Sequence, residues 1–128
     1  ATLNGELLRT ESSLRLAHGT VGLVIGLSAV TDPTLAQQAE QLKLALREQC
    51  KRVVPTWAPC VDWGLLARGS IEGLVCFHPK IYEQHAGSLL AAESEVDAVD
   101  TVAEDGRYIG APDAETTARL SHIVDETI

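Results

Sequence analysis

Methionine is absent from the chain, and the absence includes the initiator: the sequence opens Ala1-Thr2-Leu3-Asn4-Gly5, which reads as a processed or partial chain. Aromatic residues make up only 4%. Basic residues are scarce, with 10 Lys and Arg against 18 Asp and Glu, a formal charge of −8. That balance excludes a nucleic-acid backbone or an anionic membrane as main partner, since both select for clustered positive charge. No long hydrophobic run exists. The apolar stretch 21–30 is too short to span a bilayer and is broken by Gly22, Gly26 and Ser28. No positively charged segment precedes an N-terminal apolar stretch, so no signal peptide is expected. The three cysteines, Cys50, Cys60 and Cys76, are odd in number and form no C-x-x-C pair. This excludes a disulfide framework and a zinc site, and points to buried thiols in a reducing cytoplasm.

What remains is ordinary globular composition, 45% hydrophobic and 22% charged, over 128 residues. That length suits one domain, residues 1–128, and is too short for two. Asn4-Gly5 between Thr2-Leu3 and Leu7-Leu8 predicts a hairpin, because both residues accept the positive φ of a type I′ turn. Residues 21–27 are nearly continuously apolar and predict a strand buried on both faces. Asp32-Pro33 starts a helix over 33–50, with Asp32 as cap and Pro33 at the first position, and Leu35, Ala39, Leu42 and Leu46 forming its stripe. Residues 52–57 read as a short strand weakened by Pro55. A short helix begins near Pro59 and runs through Val61, Leu65 and Leu66, with Gly69 ending it in the left-handed conformation. Residues 72–77 form another strand. A helix over 82–93 carries Tyr82, Ala86, Leu89, Leu90 and Glu93 at helical spacing. Val96, Ala98, Val99 and Val102 support a strand or hairpin with Asp105-Gly106 as its turn, and Pro112 opens a last helix over 112–127 that buries Leu120, Ile123 and Val124. This alternation specifies an α/β fold: a layered, mixed and largely parallel sheet flanked by helices.

The order and spacing of several segments resemble the C-terminal half of the inositol monophosphatase family, Mg²⁺-dependent phosphomonoesterases of the sugar-phosphatase fold. Ala1-Thr2-Leu3-Asn4-Gly5-Glu6-Leu7-Leu8 looks like that family's A-x-L-N-G-x-x-I hairpin. Cys60-Val61-Asp62 and then Ala67-Arg68-Gly69-Ser70-Ile71-Glu72-Gly73 echo its A-L-D helix and A-x-G-x-x-D-G pattern. The run from Tyr82 to Ser94 echoes its W-D-x-A-A-G-x-L-L-x-x-E-A-G-G helix, and Gly110-Ala111-Pro112 resembles the A-N-P ending. The match runs without gaps from Cys60 to Glu93.

The resemblance implies site residues. Glu83 stands where the family's Trp-Asp pair carries a metal-binding Asp, and a Glu oxygen still suits Mg²⁺. On its own residues, Glu83 is equally a first-turn acid favoured by the helix dipole. Cys76 stands where an acidic residue touches substrate hydroxyls. Ala58 lies in the small-residue segment beside the substrate, in which Trp57 replaces a Gly. The paired Glu-Glu and the Asp-Pro-(Ile/Leu)-Asp-Gly-Thr signature of the N-terminal half have no counterpart here; Asp32-Pro33 is followed by Thr34-Leu35 and reads as a helix cap. His78 and His85 flank Glu83, but an i, i+2 pair does not share a helix face. Cys76 and His78 share a strand face, yet no oxyanion hole accompanies them. Trp57 and Trp63 read as core or interface residues, and Arg68 and Lys80 as cleft-edge cations.

The expectation is a substrate-side domain, inactive alone, that binds Mg²⁺ only with the missing N-terminal half and takes no cofactor by itself. The alternative is a non-catalytic relative serving as an interaction or regulatory module. Partners follow: the missing half or a second copy through an exposed apolar face, and a phosphorylated small molecule such as a sugar or inositol phosphate. Nucleic acid and membrane are not expected, and the expected compartment is the cytoplasm.

Overall fold

The structure, a computed structural model, describes residues 1–11 and 15–128. Strands β1 (Thr2–Leu3) and β2 (Glu6–Leu7) pair antiparallel, with Thr2 opposite Leu7 and Leu3 opposite Glu6. Asn4 and Gly5 take φ of 52° and 83°, the two positive values that the Asn-Gly hairpin requires.

Five further strands form one sheet. They are β3 (Thr20–Ile25), β4 (Arg52–Val54), β5 (Gly73–Phe77), β6 (Asp97–Thr101) and β7 (Arg107–Ala111), in the order β4-β3-β5-β7-β6. β4, β3 and β5 run parallel, whereas β7 is antiparallel to both β5 and β6. The expected layered mixed sheet is therefore found, with its parallel character confined to one side. The reason is local. Only residues 102–106 join β6 to β7, too few for the crossover of roughly a dozen residues that parallel strands need. They form a short helix, Val102–Asp105, closed by Gly106 at φ 75°.

The helices are α1 (Ser28–Thr31), α2 (Pro33–Gln49), α3 (Pro59–Ala67), α4 (Ile81–Glu93), α5 (Val102–Asp105) and α6 (Ala114–Thr127). α2 starts as its sequence dictates: the Asp32 carboxylate accepts from the N–H groups of Thr34 at 2.9 Å and Leu35 at 3.1 Å. α6 begins later than expected. Its cap is Asp113, which accepts from the Thr116 N–H at 2.7 Å, so Pro112 precedes the helix rather than opening it.

Side chains alternate across the central strands and split the core in two. On one face Leu23, Val75 and Phe77 pack with Leu42 and Leu46 of α2 and with Leu120 of α6. On the other, Val24, Leu74 and Cys76 pack with Trp63 and Leu66 of α3 and with Tyr108. The result is three layers, α2 and α6 on one side and α3 and α4 on the other.

Several boundaries and faces differ from the sequence reading. β3 stops at Ile25 because the Gly26 N–H donates to the Phe77 carbonyl and the chain turns into α1, leaving Leu27 exposed. β4 ends before Pro55, which cannot donate to a ladder. α4 buries Gln84, Gly87 and Ala91, not the Tyr82, Ala86 and Leu89 stripe, which faces outward. Gly87 decides this. A Cβ there would overlap the Trp63 indole, so the glycine face is the one that can approach α3. Cys50 and Cys76 are buried as expected, but Cys60 is exposed. No helix among the described residues is long and apolar enough to cross a membrane.

Candidate functional site

β3 and β5 are adjacent and parallel, and the chain leaves them toward opposite faces, to α2 from one and to α4 from the other. Such a divergence opens a crevice at the carboxyl ends of the strands, the usual ligand position in open α/β sheets. A cleft of about 260 Å³ lies there. Ile25, Leu27, Pro55, Trp57, Pro59 and Pro79 supply much of its apolar wall, and Asp62, Lys80 and Glu83 its charge.

Glu83 sits in the first turn of α4 and is half-buried against the cleft. Lys80, the residue before α4, makes no side-chain cap. An acid in this first turn is favoured by the helix dipole. Lys80 carries its ammonium 5.9 Å from the centre of the exposed Tyr82 ring.

The opposite wall is built around Asp62, which is only 1% exposed. The Thr56 hydroxyl donates to Asp62 Oδ2 at 2.7 Å and accepts from the Ala58 N–H at 3.1 Å. Burial pushes the Asp62 carboxyl above its usual value, and the bond from Thr56 opposes that rise. Between the two pinned residues, Trp57 takes φ 58°. Its indole is 71% exposed, so it is not a core residue; Trp63, 3% exposed, is.

The structure thus brings Ala58 and Glu83 to one cleft, with Lys80. Cys76 lies elsewhere. Its side chain points into the α3/α4 core beside Tyr108, and burial drives its thiol far above the ordinary value. A strand centre buried on both faces leaves it no route to the cleft. His78 holds φ 50° at the end of β5, and its ring stacks edge-on against Phe77. His85 is exposed on α4, and Arg68 lines a separate groove beside the β1–β2 hairpin. Asp62 is the cleft residue that the sequence reading passed over. The sequence carried no signal for it, because its role depends on the loop 56–58 closing back onto the start of α3.

The charged residues do not amount to a metal centre. Among the described residues no group of three or more His, Cys, Asp or Glu is placed to hold an ion. Asp62 is buried and bonded to Thr56, which leaves Glu83 as the more exposed carboxylate of the cleft lining. Mg²⁺ demands near-octahedral oxygen ligation and parts with its waters reluctantly, so a lone carboxylate does not fit it.

No family model matches the sequence, and no curated protein does. The fold has clear relatives among solved structures. It resembles extragenic suppressor protein SuhB from Bartonella henselae (TM-score 0.80, 14% identity), over 98% of this chain and 49% of that one. It resembles inositol monophosphatase from Anabaena equally well (TM-score 0.80, 14% identity), over 98% and 50%. An inositol monophosphatase from Zymomonas mobilis follows (TM-score 0.74, 19% identity), over 95% and 48%. The chain spans about half the length of the structures it matches, and at these identities what it shares with them is the fold.

Proposed function

We propose that this chain is the substrate-side, C-terminal half of an inositol-monophosphatase-like, Mg²⁺-dependent phosphomonoesterase, and that it does not hydrolyse phosphate esters by itself. The observation that carries the reading is the agreement of the fold over nearly the whole chain with half of the inositol monophosphatase structures, together with a carboxylate, Glu83, in the first turn of α4 at the cleft. In this reading Glu83 contributes one oxygen ligand, and the other ligands belong to the half this chain does not contain. No hydrolytic step is assigned to the present residues, because they do not fit the ion. Ala58 and the walls around it hold the organic part of a phosphorylated small molecule such as a sugar or inositol phosphate. Exposed Val61, Ile81, Tyr82 and Leu89 on α3 and α4 offer the missing half, or a second copy, an apolar surface.

A second reading rests on a specific observation. Cys76, in place of a substrate-touching acid, is sealed in the core, and an exposed Trp57 occupies the cleft where small residues are expected. Both fit a non-catalytic relative that keeps the fold as an interaction or regulatory module.

The experiment that separates the two joins this chain to the residues encoded upstream of it and measures Mg²⁺-dependent phosphate release from myo-inositol 1-phosphate. The enzyme reading expects activity in the joined protein, none in the 128-residue chain, and a sharp loss on Glu83→Gln. A folded joined protein with no activity on any phosphomonoester favours the module.

A further inference from the structure

We draw no further inference here: the strongest candidate, the turn between β5 and α4 in which the left-handed His78 (φ 50°) is wedged between Gly26 and Gly106, belongs through Gly26, Pro79 and Lys80 to the cleft already described, and nothing in the structure shows a ligand or partner that it serves.

Discussion

The Thr56 hydroxyl donates a 2.7 Å hydrogen bond to Asp62 Oδ2, and this single contact ties the loop that carries Trp57 to the first turn of α3. The carboxylate is nearly sealed from water, so its partner matters. Asp62→Ala strands the Thr56 hydroxyl and should destabilise the chain by about 1–3 kcal/mol, read by urea unfolding. Asp62→Asn keeps an acceptor in place and should cost less.

The same contact sets a pH dependence. Burial raises the Asp62 carboxyl above the ordinary 3.8, so the folded state holds this proton more tightly than the unfolded chain does. The stability that the proton contributes is full below 3.8 and is lost as pH rises through the higher folded value. Asp62→Asn removes that loss. The stability of the variant relative to the parent should therefore increase from about pH 4 upward, and a difference that is flat or falls with pH would contradict the assignment.

Gly87 and the Trp63 indole meet where α4 crosses α3. Gly87→Ala improves helix propensity by about 1 kcal/mol, yet it drives a methyl into the ring. Overpacking of this kind costs about 1–3 kcal/mol. The net expectation is a lower midpoint in thermal unfolding and a changed Trp63 fluorescence spectrum; a gain in stability would show that α4 does not present this face.

Thiol chemistry checks burial directly. Cys60 is exposed, whereas Cys50 and Cys76 are buried and their thiols are pushed up by desolvation. An aromatic disulfide reagent should label one thiol per folded chain rapidly and all three only after denaturation.

Much of the fold was legible because local chemistry and tertiary packing agreed. Asn4-Gly5 specifies its turn alone, and Asp32-Pro33 specifies a helix start that the structure reproduces atom for atom in its cap bonds. Leu42 and Leu46, and Leu120 and Val124, were readable because one stripe faces one sheet. α4 was misread because its larger apolar residues lie outward; the inward face is set by the absence of a side chain at Gly87, which a hydrophobic period does not register. The antiparallel half of the sheet was half visible, since Asp105-Gly106 marked the turn while the short β7 showed no alternation to give its direction. At the site, Glu83 and Ala58 followed from family spacing. Cys76 did not reach the cleft, because spacing carries a position along the strand and not the depth of its side chain. Asp62 needed the closure of the loop on Thr56, a contact that only the fold displays.

The central claim is that Glu83 faces a catalytic cleft completed by a second half. The most direct measurement is the Mg²⁺-dependent rate of phosphate release from myo-inositol 1-phosphate by the joined, full-length protein, compared between the parent and Glu83→Gln. Removing one charged ligand while keeping its shape should lower the rate by at least about a hundredfold, equivalent to ~2.7 kcal/mol of transition-state stabilisation, and should raise the Mg²⁺ concentration needed for half-maximal activity, while the thermal midpoint moves little. An active parent whose rate and Mg²⁺ requirement are unchanged by Glu83→Gln would contradict the account and leave Glu83 as a helix-start acid alone.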